Sequence, residues 1–113
     1  MAETFNNALV DLSTTSITDI YQAPTGNAAD ITVTLSCLVA NVHATDNCDV
    51  TVTITDGSNT ALGTIANAVE VPINSSLEIV TNKLVLKQSQ KIRATASVAS
   101  ALNITVSALE ITV

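Results

Sequence analysis

The sequence predicts an all-β fold, an antiparallel β-sandwich of jelly-roll type with about eight to ten short strands. Apolar and polar residues alternate with period two along most of the chain, the signature of strands with one buried face. Turn-forming clusters such as "PTGN", "HATDN" and "DGSN" interrupt that alternation at short intervals. The filler residues are Thr, Ser, Asn, Val, Ala and Ile; apolar residues reach 47%, while charged residues are only 12% and aromatics 2%. Such a composition suits strands, because helical surfaces favour long charged side chains.

Taken in order, "ALVDLS" (8–13) opens with Ala8, Val10 and Leu12 on one face, and "SITDIYQ" (16–22) follows a Ser-Thr turn. "PTGNAAD" (24–30) reads as a loop. "ITVTLSCLVANV" (31–42) is the longest strand and places Ile31, Val33, Leu35, Cys37 and Val39 together. The turn "HATDN" leads into "CDVTVTITD" (48–56), with Cys48, Val50, Val52 and Ile54 inward. "GSN" after Asp56 is a strong hairpin signal. Shorter strands are expected at 60–65, 68–73, 77–80, 83–86, 91–97 and 102–113. Pro72 cannot donate to a ladder, which puts its segment at a sheet edge. There is no helical period, linker or fixed-spacing repeat, and 113 residues suffice for one domain with a core, spanning 1–113.

The last strand breaks its own alternation. Leu102, Ile104 and Val106 fall on even positions, but after Ser107 the apolar residues are Leu109, Ile111 and Val113. Either a β-bulge near Ser107–Ala108 returns these three to the core, or a regular strand turns them outward against another subunit. The absence of a charged tail after Val113 leans towards the second alternative.

If 31–42 and 48–55 form a hairpin, Asn41 lies opposite Cys48 and Cys37 opposite Val52. The cysteines are then about 13 Å out of register at ~3.3 Å per residue. A disulfide needs Cα atoms within about 7 Å, so both are expected as free core thiols.

Charge is unevenly placed. Residues 1–82 hold nine acids and no base, whereas Lys83, Lys87, Lys91 and Arg93 stand against Glu110 alone in residues 83–113, for a net charge of −6. This balance disfavours nucleic acid, because phosphate binding needs clustered cations in a favourable field. The four cations are a candidate docking patch for an acidic neighbour. No spanning apolar run or leader-like start is present, so neither a membrane partner nor secretion is expected. The acceptor-like patterns at Asn74 and Asn103 therefore read as strand or loop polarity.

Catalytic chemistry finds little support. His43 is the one histidine, and its neighbours Asp46 and Asp49 read better as turn residues than as a triad. "HATDNCD" contains metal-ligand types but no CxxC, HxxxH or calcium-loop spacing. Only three glycines occur, none in a phosphate loop. No enzyme, cofactor or metal is expected.

The segments "LVANVHATDNCDVTVTITD", "VPINSSLEIV" and "KIRATASVASALNITVSALEIT" resemble a family of small structural proteins of tailed phages, common in marine and cyanobacterial phage genomes. That pattern has a strand ending in an Asn-containing turn, an alternating Val/Thr strand, a "VP…SSLE" segment and closing strands that finish on "LEIT". Nearly the whole chain is covered, by strand and turn patterns with no catalytic signature. The family commonly carries Gly-Asp before the penultimate strand, where this chain has the basic "KQSQK". The resemblance implies a virion component made in a bacterial cytoplasm, on the head or along the tail and neck. A capsid decoration (cement) protein contacting the major capsid protein, as a homo-oligomer such as a trimer, is the leading expectation; a tail, neck or fibre component is the alternative. A carbohydrate-binding adhesion module fits less well, since exposed aromatics are scarce.

Overall fold

The computed structural model describes residues 2–25, 31–80 and 82–112. Its nine strands are β1 (Ala2–Leu12), β2 (Thr18–Gln22), β3 (Ile31–Asn41), β4 (Cys48–Thr55), β5 (Ala61–Val71), β6 (Ser76–Glu78), β7 (Leu84–Lys87), β8 (Lys91–Ala96) and β9 (Leu102–Thr112). They form two antiparallel sheets. One runs β1-β9-β3, with β6 and β7 sharing the far edge of β3; the other runs β2-β8-β4-β5. With β6 and β7 counted as one interrupted strand, this interleaved order is that of a jelly roll.

The sheets close on a core of short and branched side chains, including Leu12, Cys37, Val39, Val50, Leu102 and Ile104, all essentially inaccessible. The expected hairpin after Asp56 is present: β4 pairs with β5. The Asp56 carboxylate accepts hydrogen bonds from the backbone N–H of Ser58 (2.8 Å) and Thr60 (2.9 Å). Part of the expected loop at 24–30 lies outside the described residues.

Several expectations need correction. The strand over 31–42 does not pair with 48–55; β3 pairs with β9, β6 and β7, and β4 lies in the other sheet. The chain crosses between sheets at 42–47. Asn41 holds that crossing, its Nδ2 donating to the carbonyls of Asp46 (3.0 Å) and Val71 (2.8 Å) while its Oδ1 accepts from the N–H of His43 (2.9 Å). A side chain that satisfies three backbone groups makes the crossing competitive with a hairpin. The inferred register of the cysteines therefore falls, although both are free and buried, one in each sheet. The first strand starts at Ala2, not Ala8, and the segments at 60–65 and 68–73 are one strand, β5. Irregular register keeps β5 continuous: Ala68 adopts φ 50° and its N–H turns to the Thr51 hydroxyl (3.0 Å). β5 ends immediately before Pro72 and forms the edge of its sheet, where the missing donor costs nothing.

The faces of β3 also differ from expectation. Thr32, Thr34, Cys37 and Val39 point inward, whereas Ile31, Val33 and Leu35 do not. The cause is a β-bulge: Thr34 pairs with Ala108 and Ser36 with Ser107, leaving Leu35 as the extra residue. The irregularity foreseen near Ser107–Ala108 thus sits on the strand facing those residues. β9 itself runs in unbroken register against β1 from Leu102 to Thr112.

Glu78 seals the bulge where β6 and β7 leave a gap along β3. Its carboxylate accepts from the Ser36 hydroxyl (2.5 Å), the Cys37 N–H (2.7 Å) and the Val80 N–H (3.2 Å). Such charge-assisted bonds supply what a continuous neighbouring strand would otherwise provide.

Candidate interaction surface

The bulge fixes which residues of β3 reach the outer face of the β1-β9-β3 sheet, while β1 and β9 keep one phase along their whole pairing. On β9, Leu102, Ile104, Val106 and Ala108 are buried, while Leu109 and Ile111 lie on the opposite face and are half-buried. Phe5 of β1 and Val33 of β3 flank Leu109, and Val85 of β7 flanks Val33. Phe5 is 75% exposed and Leu9, further along β1, is 71% exposed. A depression of about 390 Å³ lies over Ser107, bordered by Phe5, Asn7 and Leu35.

The inner face behind this apolar end is polar. Tyr21 donates its hydroxyl hydrogen to Glu110 (2.5 Å), and the Asn6 amide donates to the same carboxylate oxygen (3.2 Å). Burial first, then the neighbouring Glu110, pushes the Tyr21 phenol well above its usual range. Thr32 and Thr34 are buried beside this cluster, and the Thr34 hydroxyl finds no partner among the described residues. Thr32 stands within reach of the Tyr21 hydroxyl, so the inner side of β3 is polar at this end while Ile31, Val33 and Leu35 lie on the outside.

The four cations are not gathered into one patch. Lys91 and Arg93 lie on β8 of the second sheet, where Lys91 Nζ (3.1 Å) and Arg93 Nε (2.6 Å) bind the two oxygens of Asp19. Lys91 also donates to the Asn59 side chain (3.0 Å). The bond from Lys91 holds the Asp19 carboxyl below its usual range, with Arg93 adding to it against the opposing effect of burial. Lys87 is in the other sheet, exposed beside Ile31, and Lys83 is exposed ahead of β7. Val113 lies outside the described residues.

The His43 Nδ1 accepts from the N–H groups of Thr45 (3.2 Å) and Asp46 (3.0 Å), so the ring closes its own turn. Among the described residues no three His, Cys, Asp or Glu side chains come together as a metal site, and no helix is long and apolar enough to cross a membrane. Burial, with Glu78 nearby, pushes the Cys37 thiol up to about 12. The basic "KQSQK" turn adopts a left-handed conformation at Ser89, φ 68°, one that glycine takes without strain.

Phe5, Leu9 and Val85 escaped the sequence reading. Phe5 lies ahead of the expected strand start, Leu9 falls on the face opposite Ala8, Val10 and Leu12, and the phase of Val85 needed the sheet order. The one available signal was the odd apolar spacing of Phe5 and Leu9 continued backwards from residue 9.

No protein-family profile and no curated protein sequence matches this chain. Solved structures do share its fold. A protein of Bacillus endospore appendages, described as disulfide-linked pili, aligns at TM-score 0.56 and 15% identity, covering 98% of this chain and 89% of that one. A chain of infectious bursal disease virus, Gx strain, aligns at TM-score 0.57 and 9% identity over 97% of this chain but 32% of its own length. A pentameric capsid protein from metagenomic phage sequences aligns at TM-score 0.50 and 16% identity over 96% of this chain and 62% of that one. The likeness is one of fold: this sandwich recurs in viral and pilus structural proteins.

Proposed function

We propose that this protein is a non-enzymatic structural component of a phage virion, a decoration protein held on the head through contacts with the major capsid protein and with copies of itself. The observation that carries the reading is the outer face of the β1-β9-β3 sheet. There Phe5, Val85 and the half-buried Leu109 face outward while Thr32 and Thr34 are buried behind them, and Leu9 is exposed further along β1. A lone soluble protein gains nothing from that inversion, whereas an assembly subunit gains a contact surface. The phage capsid protein among the structural neighbours and the phage-family resemblance point the same way.

A fibre- or neck-associated module is the second reading. It draws on the endospore-appendage protein, whose chain is matched over 89% of its length.

Quantitative mass spectrometry of purified particles tests both. A decoration protein follows the copy number of the major capsid protein. A handful of copies per particle supports the fibre or neck, and absence from particles overturns the virion role altogether.

A further inference from the structure

We infer that the outer face of the β1-β9-β3 sheet is the contact between two copies of this chain, stacked about a two-fold axis parallel to the strands. The inference does not rest on a virion role.

The cross-strand register lays the face out in rows. One row reads Phe5, Leu109, Val33, Val85 across β1, β9, β3 and β7, wholly apolar. The adjacent row at the sheet end reads Glu3, Ile111, Ile31, Lys87. It is apolar in the middle, negative at one corner and positive at the other.

A two-fold axis along the strands reverses the lateral order of a row while keeping its position along the sheet. The β1 corner of one copy then faces the β7 corner of the other. Glu3 meets the Lys87 of the second copy, and Lys87 meets its Glu3, so one arrangement makes two opposite-charge contacts at once. Isologous contacts must be self-complementary in this way. Glu3 and Lys87 are both exposed, and neither has an ion pair in its own chain among the described residues. The apolar row stacks on itself between these corners.

Size is consistent with a stable pair. Three eleven-residue strands and two short ones give a sheet plane on the order of 600 Å², before side-chain relief is added. A standard interface takes about 800 Å² from each partner. On the outer face of the other sheet Asp19, Lys91 and Arg93 satisfy one another, and that sheet's exposed Leu62, Ile65 and Val69 lie on its edge strand β5.

Sedimentation equilibrium of the purified chain over roughly 1–100 µM tests the pairing. A dimer is expected, with Leu109→Asp raising its dissociation constant by at least about tenfold. Glu3→Lys and Lys87→Glu, each alone, weaken it by about two- to tenfold at low salt, because each variant sets like charges at both corners. The doubly swapped chain regains the wild-type constant. Both charge variants alter exposed side chains, so they report even if Leu109→Asp misfolds. A monomer at every concentration overturns the proposal and leaves the face to a different protein, and a trimer overturns the two-fold pairing. A dimer indifferent to Leu109→Asp overturns the choice of face, and a double swap no better than its single components overturns the two-fold.

Discussion

The two ends of the β1-β9-β3 sheet follow opposite rules. At one end Leu12, Cys37, Val39, Leu102 and Ile104 fill the core in the ordinary way. At the other, Thr32, Thr34 and the Tyr21–Glu110–Asn6 cluster occupy the inner face, while Phe5, Ile31, Val33, Leu109 and Ile111 look outward. Three strands run through both ends without interruption, and the bulge at Leu35 is the single change of phase between them. Burial is therefore a property of position along a strand as well as of the strand. One sheet can serve a monomer's core at one end and present an assembly surface at the other.

The largest expected effect breaks the comparison at its core end. Ile104→Ala removes a fully buried side chain and is expected to cost about 2–5 kcal/mol of unfolding free energy. Ile111→Ala on the same strand, half-buried on the outer face, is expected to cost less than about 1 kcal/mol in dilute protein. Urea unfolding of both variants measures the difference, and equal losses would show that the outward end is also core.

The polar end carries a pH signature. The folded state holds the Tyr21 phenol above its usual 10.0 and the Cys37 thiol above its usual 9.0, so both keep their protons more tightly when folded. The unfolded chain releases those protons first. The stabilisation is complete below about pH 9 and is lost as pH rises beyond it. Unfolding midpoints should therefore fall between pH 8 and pH 10.5, and Tyr21→Phe should flatten the part of that fall above about pH 10. An unchanged slope in the variant would mean that Tyr21 is not held protonated by its surroundings.

The smallest effect sharpens the role of the bulge. Thr34 already pairs with Ala108 and Ser36 with Ser107, so deleting Leu35 joins two segments that are in phase. The deletion should retain a cooperative fold at a cost of about 1 kcal/mol or less, read from the thermal midpoint. Loss of cooperative unfolding would show that the extra residue is needed to hold the two ends in their opposite phases.

Much of the architecture was legible locally. The period-two alternation identified strands because successive side chains of an extended backbone point to opposite faces. Asp56 and the residues after it announced the β4–β5 hairpin because an Asp side chain closes a turn on its own backbone. Pro72 announced an edge because it has no N–H to give. The irregular phase of the closing strand, where Leu109 and Ile111 leave the sequence of Leu102, Ile104 and Val106, was also visible.

Tertiary structure alone decided the rest. Which strands become neighbours is a non-local choice, and here it placed β3 beside β9 instead of β4. The side-chain phase of β3 followed from that choice, since the register with β9 outweighed the alternation of β3's own residues. The fate of the cations was equally remote from their spacing: Asp19, more than seventy residues away in sequence, engages Lys91 and Arg93, while Lys87 stands in the other sheet. Sequence determines what a strand can bury through the chemistry of each residue. Its neighbours determine which face does so, because ladder hydrogen bonds and packed volume are shared between segments that the chain does not place side by side.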